Sequence, residues 1–583
     1  MPIARMLKED TTAADVIARV LQEAGIDTVF GMSGGHTGTI FQALSKRQNG
    51  IRTMTVREES LGGVMAEVYG RLKRKPGVLI GQGPWVLGNG IIGILEAHLS
   101  SSPMLLLSDF SDVTQFVMHA PYQQGTGEWG SWDARASFGG VTKQVFQALD
   151  PVPAVQAVQI GIKHALSGQA GPVAVLFGAD ALAGTVSADS SPRIYPMEHY
   201  LPPAPQGADA AAVEAVARVL AAAQLPVIIA GNGVRIAQAT EGLAKLAEQL
   251  DAPVATTAAG KGCFAETHPL ALGVFGTFGT AAANACVGQA DLVLVIGSKL
   301  GASDTAREHP AVLDPERQTF VQIDVEPRNA SWTFPAEHVL LGDAAVIIRQ
   351  LGEALAAQGV KGAGRVGAEK RVAAVRSEHG YFNAPAYRDD RAPIHPQRVI
   401  GEMMKTLPED AIVTCDAGEN RILMTNLYQT KKAGGFIQAA GAGPMGFAIP
   451  AALAVKLVHP ERPAIAVAGD GGFAMTMNGL MTALEHDLPI IVVVFNNHAL
   501  GWVLHGRGPF AAEFNDFDHA AIARAIGCNG VRVTEPGDFA PALKEALGSR
   551  KPTVIDVVTS LDAISFADVT SPLLNPPKAK QKI

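Results

Sequence analysis

Cysteine, tryptophan and charge are all scarce in this sequence. Its 583 residues include 4 cysteines, 5 tryptophans and 17% charged residues. The cysteines are far apart in the sequence, so no closely spaced pair could bind a zinc ion, and no disulfide framework is expected in so long a chain. This usage argues against a small disulfide-stapled protein and indicates a reducing compartment.

Clusters of positive charge are scarce, and long apolar runs are missing. The formal net charge is -8, which argues against nucleic acid and anionic membranes as partners. The basic run at 71–75 is predicted to be a helix end. No apolar run reaches the roughly 18 residues of a membrane span, and the first residues lack the pattern of a secretory signal. We therefore expect a soluble, cytoplasmic protein with a small-molecule substrate.

Glycine is abundant, and short apolar runs alternate with segments of helical periodicity. The 62 glycines and 48% hydrophobic residues fit a compact α/β protein with many tight strand-to-helix turns. At about 100 to 200 residues per domain, the length is consistent with three domains. We expect three doubly wound parallel sheets, with ligands at the carboxyl ends of the strands.

Two stretches interrupt the alternation. Residues 186–208 are rich in proline and serine, as is typical of a linker, and residues 360–392 are polar. The expected domains are therefore residues 1–185, 209–360 and 393–570. Strands are predicted at 27–30, 78–80, 104–107, 173–177, 226–230, 292–296, 320–323, 411–414, 464–468 and 490–495.

The third domain has an acid and an amide directly after two predicted strands. One strand runs into Gly-Asp-Gly-Gly at 469–472, and a later strand ends in two asparagines at 496–497. Mg²⁺ prefers oxygen ligands and shares them with phosphates, while glycines let backbone approach a phosphate closely. A glycine-aspartate turn alone is common in ordinary βα turns. The pair of strand ends is the stronger signal, and it predicts a magnesium and phosphate site.

This pair resembles the thiamine-diphosphate motif of the acetolactate-synthase and pyruvate-decarboxylase superfamily. The resemblance extends over nearly the whole chain, in the order pyrimidine-binding domain, central Rossmann-like domain and diphosphate-binding domain. It implies thiamine diphosphate and Mg²⁺ as cofactors. It also implies Asp470, Asn497 and Ala499 as metal ligands, with Gly471 and Gly472 beside the diphosphate.

A glutamate in the first domain matches the family position that activates the cofactor. Glu59 ends the run Arg-Glu-Glu at 57–59, ahead of Ala-Glu-Val-Tyr-Gly-Arg at 66–71. In the family, this carboxyl group contacts the aminopyrimidine ring and stabilises the imino tautomer that takes the thiazolium proton. The resemblance thus implies making or breaking a carbon-carbon bond next to a carbonyl. The alternative for Glu59 is a solvated helix charge.

Three further residues match cofactor contacts of the family. The segment Gly-Pro-Met-Gly-Phe at 443–447 implies Met445 as the apolar wedge that bends the cofactor, and Gly443 as the carbonyl that accepts from the pyrimidine amine. Asn420 resembles a residue of the diphosphate-contacting loop. Without the family, Met445 would be interpreted as core filler and Asn420 as a turn residue.

Residues expected near the substrate show two different resemblances, one to acetolactate synthases and one to benzaldehyde lyase. At the position of His36, acetolactate synthases have a small residue, whereas benzaldehyde lyase has a histidine. His36 is therefore a candidate to hydrogen-bond the substrate and to transfer a proton. The alternative is a loop histidine that faces water. Gln124 lies near the family's active-site glutamine. The segment after Asn497 is similar to acetolactate synthases, but Gly506 replaces their substrate-selecting tryptophan.

The sequence leaves three hypotheses open. The first is an acetolactate-synthase-like lyase or carboligase that decarboxylates a 2-oxo acid. The second is benzaldehyde-lyase-like cleavage or ligation of 2-hydroxyketones, and the third is a catalytically silent regulatory subunit, which the presence of Glu59, Asp470 and Asn497 disfavours. Glycine-rich turns of the central domain leave FAD, an ADP-like nucleotide and no ligand open. The family's arrangement, with the cofactor between two subunits, implies a homodimer or homotetramer.

Overall fold

The computed structural model describes residues 2–46, 50–119, 122–362, 364–439 and 441–561. These described residues form two compact units: one lies within Met1–Ala204, Leu453–Val458 and Met481–His486, and the other within Pro205–Ala452, His459–Leu480 and Asp487–Ile583. Within the described ranges, no helix combines the length and the apolar character that crossing a membrane requires. The four cysteines are buried and free.

The first unit contains a six-stranded parallel sheet and a two-stranded antiparallel pair. Its elements in chain order are β1 (Thr11–Thr12), α1 (Ala13–Glu23), β2 (Thr28–Gly31), α2 (Gly38–Ser45), β3 (Arg52–Thr55), α3 (Glu59–Lys73), β4 (Gly77–Gly81), α4 (Gly83–Gly88), α5 (Ile91–Ser100), β5 (Met104–Ser111), α6 (Ala134–Gly139), β6 (Gln144–Ala148), α7 (Pro151–Leu166), β7 (Pro172–Gly178), α8 (Ala179–Ala183) and β8 (Thr185–Val186), with 3-10 helices at Gly35–Thr37, Thr114–His119 and Met197–His199. The strand order of the large sheet is β3-β2-β4-β5-β7-β6.

Burial and capping explain why these segments adopt their structures. Every residue of β5 is buried, as expected of a parallel strand covered on both faces. Helix α1 begins after Thr12, whose side chain accepts a hydrogen bond from the backbone of Asp15. Its apolar residues at helical spacing, such as Ile17 and Leu21, are fully buried, and each contributes about 1.5 to 3 kcal/mol.

The second unit begins with another parallel sheet of six strands. Its elements are α9 (Ala210–Ala222), β9 (Pro226–Ala230), α10 (Asn232–Ile236), α11 (Thr240–Leu250), β10 (Val254–Thr256), β11 (Ala271–Val274), α12 (Ala281–Gly288), β12 (Leu292–Ile296), β13 (Thr319–Asp324), β14 (His338–Leu341), α13 (Ala344–Ala357) and α14 (Ala368–His379). The strand order is β11-β10-β9-β12-β13-β14.

A third parallel sheet of six strands follows in the sequence. After a 3-10 helix at Pro385–Arg388, the elements are α15 (Pro396–Thr406), β15 (Ile412–Cys415), α16 (Glu419–Leu427), β16 (Phe436–Gln438), α17 (Ala448–Val458), β17 (Ala464–Gly469), α18 (Asp470–Thr476), α19 (Gly479–Glu485), β18 (Ile491–Asn496), α20 (Gly501–Arg507), α21 (His519–Ile526), β19 (Asn529–Val533), α22 (Pro536–Gly548) and β20 (Thr553–Val558). The strand order is β16-β15-β17-β18-β20-β19.

The three all-parallel sheets confirm the predicted fold class. Strands β9 and β12 have the predicted bounds, whereas β5 continues past the predicted end at 107 to Ser111. The expected linker at 186–208 includes the end of β8 and a 3-10 helix. The predicted domain boundaries remain predictions, and the expected end of the third domain at 570 lies outside the described residues.

A buried ion pair in the loop after β10 is hydrogen-bonded to the segment that precedes β16, within the second unit. Lys261, in the loop after β10, lies 2.7 Å from Glu266, and both side chains are almost fully buried. Glu266 accepts a hydrogen bond of 2.6 Å from the backbone of Thr430, which precedes β16. The Lys261 ammonium also lies 5.5 Å and 5.3 Å from the ring centroids of Phe382 and Phe436. Burial lowers the pKa of Lys261, and Glu266 opposes this shift.

Candidate cofactor site

A cavity of about 350 Å³ lies at the carboxyl edge of the third sheet. The adjacent strands β15, β17 and β18 all end there, since parallel strands present their carboxyl ends at one edge. Every cofactor or metal residue predicted in the third domain lines this cavity: Asn420, Gly443, Met445, Asp470, Gly471, Gly472, Asn497 and Ala499. The fold thus brings these residues together, while their individual roles remain predictions.

Two side-chain oxygens converge on one backbone amide in this cavity. The N–H of Ala499 lies 3.1 Å from Oδ2 of Asp470 and 3.1 Å from Oδ1 of Asn497. The other carboxylate oxygen of Asp470 accepts a 2.7 Å hydrogen bond from Gly471. Burial raises the pKa of Asp470 to about 6, against the opposing effect of these N–H donors. A cation beside the carboxylate would favour its charged form.

Glycines are required where the cavity wall is most crowded. A Cβ atom on Gly471 would lie 2.9 Å from the methyl carbon of Met445. On Gly472 it would overlap the carboxylate of Asp416. Gly443 has a φ of +66°, in the left-handed region that favours glycine. The wall therefore holds the half-buried Met445 side chain against the start of α18.

A buried aspartate that the sequence analysis did not select holds this wall in place. Asp416 directly follows β15, and its carboxylate accepts hydrogen bonds from the backbone N–H groups of Gly446 (3.1 Å), Phe447 (2.5 Å) and Ala448 (2.7 Å). Burial raises the pKa of Asp416 to about 6, and these donors oppose the shift. The sequence did contain a signal, because Asp416 follows a strand end as Asp470 does.

Asn420 lies in a helix, where a loop residue was expected. Gly418, with a φ of 97°, turns the chain directly from β15 into α16, so Asn420 belongs to the first turn of that helix. Its side chain is buried, and its amide donates to the carbonyl of Asp416 at 3.3 Å. Asn420 therefore lies on the floor of the cavity, next to Gly418 and Gly469.

The sequence analysis also did not select Glu419, which lines the cavity, or its partner His505. Oε1 of Glu419 lies 2.8 Å from Nδ1 of His505, and Oε2 accepts a 3.3 Å hydrogen bond from the amide of Asn497. Burial raises the pKa of Glu419, and the neighbouring histidine opposes this shift. No sequence pattern could have found the pair, because its members belong to different helices, α16 and α20.

Glu59 is the first residue of α3 in the first unit and is only 4% exposed. Its Oε2 accepts a 3.2 Å hydrogen bond from the side-chain amide of Asn89. A Cβ atom on Gly81, the last residue of β4, would lie 4.0 Å from Cγ of Glu59. The carboxyl group is therefore held at the carboxyl edge of the first sheet, away from solvent.

His36 lies at the same edge, in the 3-10 helix that follows β2. Its backbone N–H donates to Oδ2 of Asp109 at 2.9 Å, while its side chain is 41% exposed and lies 3.7 Å from Asp112. The second oxygen of Asp109 accepts from the backbone of Gly83 at 2.9 Å. Asp109, which the sequence analysis did not select, thus fixes the His36 loop and the start of α4.

Gln124 is buried, and both ends of its amide bond to nearby backbone. Its oxygen accepts from the N–H of Asp112 at 3.1 Å, and its nitrogen donates to the carbonyl of Val117 at 3.2 Å. In this conformation, Gln124 braces the segment that follows β5. Its predicted catalytic role remains a prediction.

Comparison with known proteins identifies three consecutive family matches. They are the N-terminal binding domain of thiamine pyrophosphate enzymes at residues 11–126, the central domain at 213–351 and the C-terminal binding domain at 416–557.

Similar proteins include a probable acetolactate synthase large subunit of Methanocaldococcus jannaschii, 30% identical over 562 residues that cover 94% of this chain and 91% of the relative. A sulfoacetaldehyde acetyltransferase of Castellaniella defragrans is 27% identical (94% and 93% covered), and a probable 2-ketoarginine decarboxylase of Pseudomonas aeruginosa is 30% identical (94% of each). The chain therefore belongs to the thiamine-diphosphate-dependent enzymes of the acetolactate synthase and pyruvate decarboxylase superfamily.

Proposed function

We propose that this enzyme uses thiamine diphosphate and Mg²⁺ to decarboxylate a 2-oxo acid and to make or break a carbon-carbon bond at the carbonyl carbon. The observation that carries the proposal is the convergence of the Asp470 and Asn497 oxygens on the Ala499 amide. This convergence lies in a cavity whose wall includes Met445. The same cavity thus contains the two side chains predicted to bind the metal, Asp470 and Asn497, and Met445, which is predicted to bend the cofactor.

The donor atoms at this edge suit Mg²⁺. A carboxylate, an amide oxygen and a backbone carbonyl are hard oxygen ligands, and Mg²⁺ commonly completes its octahedron with phosphate oxygens. Asp470, Asn497 and Ala499 would hold the ion. Gly471, Gly472 and Asn420 would lie against the diphosphate. Within the described residues, no group of three or more His, Cys, Asp or Glu side chains could hold a metal, and the proposed shell uses only one such residue.

When bound, thiamine diphosphate supplies an electron sink for bond cleavage next to a carbonyl. Glu59 would exchange a proton with the pyrimidine nitrogen of the cofactor. Asn89 holds one oxygen of this carboxyl group, and burial excludes water that would compete for the proton. His36, with its partly exposed ring, would donate a hydrogen bond to the substrate carbonyl. These residues position groups and move protons, while the cofactor carries the electronic change.

A carbonyl compound of low molecular weight is the proposed substrate, and neither nucleic acid nor a membrane is a proposed partner. We further propose a homodimer or homotetramer, because in this family the cofactor lies between the first domain of one subunit and the third domain of another. The matched family descriptions name thiamine pyrophosphate alone. The comparisons do not support FAD, so FAD, an ADP-like nucleotide and no ligand all stay open for the central domain.

Cleavage or ligation of 2-hydroxyketones without decarboxylation is a second candidate. Two observations favour it: the imidazole of His36 is accessible, and a Cβ atom on Gly506 would meet open space. Among the described residues, no side chain beyond the two chain neighbours lies within 4 Å of this Cβ position, where the family has its substrate-selecting tryptophan. The relatives' names also span a synthase, an acetyltransferase and a decarboxylase, so membership of the family alone does not select one reaction.

Product analysis with purified, cofactor-loaded protein tests both candidates. A panel of 2-oxo acids, 2-hydroxyketones and acyl-CoA thioesters would be incubated with the enzyme, and products would be identified by NMR and mass spectrometry. Release of CO₂ from a 2-oxo acid with formation of a carboligation product or aldehyde supports the first proposal. Aldehyde formation from a 2-hydroxyketone without CO₂ supports the second. Calorimetry that finds no binding of thiamine diphosphate with Mg²⁺ rejects both.

A further inference from the structure

The Glu419–His505 pair has no part in the chemistry proposed so far. Only 10% of the Glu419 side chain and 15% of the His505 side chain are exposed. Glu419 is the first residue of α16, and His505 lies in the last turn of α20. An acid at a helix start and a base at a helix end are both favoured by the helix dipoles. Both side chains therefore suit the helix ends that carry them.

The hydrogen bonds of this pair fix the position of the imidazole ring. Nε2 of His505 lies 2.9 Å from the carbonyl oxygen of Leu561. A carbonyl can only accept, so Nε2 donates this hydrogen bond. Nδ1 faces Oε1 of Glu419 at 2.8 Å. The pair is therefore a hydrogen-bonded dyad, anchored at its far end to the backbone of Leu561.

The near end of the dyad selects the orientation of the Asn497 amide. Oε2 of Glu419 accepts from Nδ2 of Asn497, so the amide oxygen must point to the opposite side. There it accepts from the N–H of Ala499, next to Asp470. An unassisted asparagine could present either its oxygen or its nitrogen to this position, and nitrogen would repel a cation. The tight fit extends to α20, because a Cβ atom on Gly501 would overlap Oε2 of Glu419.

We propose that Glu419 and His505 are positioning residues of the metal site, which hold the Asn497 amide with its oxygen toward Mg²⁺. The inference rests on the proposed function, since it assumes that Asn497 is a metal ligand. Residues that orient a metal ligand commonly contribute 10- to 100-fold to metal affinity. The dyad also ties the orientation of Asn497 to α20, the helix that carries Trp502 into the cavity wall.

Calorimetric titration with Mg²⁺, in the presence of excess thiamine diphosphate, tests the proposal without measuring turnover. We expect Glu419→Ala and His505→Ala to weaken the apparent Mg²⁺ affinity by about 10- to 100-fold. Glu419→Gln should stay within about threefold of the wild type, because its amide can accept from Asn497 and donate to Nδ1 of His505. His268→Ala is the matched control: it breaks another His–Glu pair, at 3.2 Å to Glu248, and should leave the affinity unchanged.

The outcomes separate this inference from the function on which it rests. A wild-type protein that does not bind the cofactor with Mg²⁺ overturns the proposed function and this inference with it. Binding by the wild type together with unchanged affinities in Glu419→Ala and His505→Ala overturns the inference alone. A Glu419→Gln variant as weak as Glu419→Ala also overturns it, since charge rather than orientation would then matter. Should His505→Ala fail to fold, the comparison of the two Glu419 variants decides.

Discussion

A methyl group at residue 472 has no space in this fold. On Gly472 a Cβ atom would overlap Oδ2 of Asp416, and the two oxygens of this carboxylate together accept three backbone hydrogen bonds. The Gly472→Ala variant must therefore displace the carboxylate. Hydrogen bonds to a charged group contribute about 1.5 to 3 kcal/mol each, so losing two of the three costs about 3 to 6 kcal/mol. Replacing glycine by alanine in a helix stabilises the folded state by about 1 kcal/mol. The free energy of unfolding should therefore fall by about 2 to 5 kcal/mol in total.

Thermal unfolding measures this loss. For a domain of 150 to 250 residues, 1 kcal/mol corresponds to roughly 2 to 4 °C, so we expect the transition of the third sheet to fall by roughly 10 °C. Gly471→Ala is the matched control, since the three atoms nearest to its Cβ atom belong to side chains, those of Met445, Leu500 and Phe514, rather than to a hydrogen-bonded carboxylate. Its melting temperature should change by less than about 3 °C. Its affinity for thiamine diphosphate should fall, because Met445 must move.

The result that refutes this reasoning is a Gly472→Ala protein that melts with the wild type. Asp416 would then not be the rigid support of the Met445 segment. Equal destabilisation by both variants would also contradict it, because it would show that any added methyl group in this turn is costly. Hydrogen exchange at the N–H groups of Phe447 and Ala448 locates the effect, since these amides should lose protection in Gly472→Ala alone.

Three further substitutions test the predicted residues directly. Asp470→Ala should abolish Mg²⁺-dependent binding of thiamine diphosphate, because it removes the charged metal ligand; unchanged affinity in calorimetry would reject the metal assignment. Glu59→Gln should keep the fold but nearly abolish turnover, since an amide cannot pass a proton to the pyrimidine. Deuterium exchange at the thiazolium carbon should slow by orders of magnitude. Exchange as fast as in the wild type would contradict the role of Glu59. His36→Ala should bind cofactor normally but lose about 10²-fold in turnover; steady-state kinetics equal to the wild type would leave His36 as a surface residue.

Local patterns made the core of the site predictable. An acid after β17 and asparagines at the end of β18 could be found from the sequence, because adjacent parallel strands end at one edge. The orientation of the Asn497 amide could not be predicted in this way, because it depends on Glu419 and His505. These two residues come together only through the packing of α16 against α20. Pairing between helices carries no local signal.

The burial of charged side chains could not be predicted from the sequence either. The basic run at 71–75 correctly marks the end of α3 near Lys73. However, Arg71 is not solvated: it lies buried between Glu67 and Glu96, at 2.6 Å and 3.2 Å. Short strands were missed for a different reason. In β11, Gly273 has a φ of +80° and interrupts the apolar run, and four residues are too few for periodicity to identify.

The buried Lys261–Glu266 pair has a consequence for how this chain can be recombined with its relatives. Glu266 also binds the backbone of Thr430, and Gln438 donates to the carbonyl of Ala258 at 2.5 Å. The second and third sheets are therefore linked by hydrogen bonds at this loop. A chimera that exchanges the central domain without residues 430–438 would carry both partners of the ion pair together, but it would have to re-form the hydrogen bonds to Thr430 and Gln438 at a new junction. The two sheets should be inherited and transplanted as one piece.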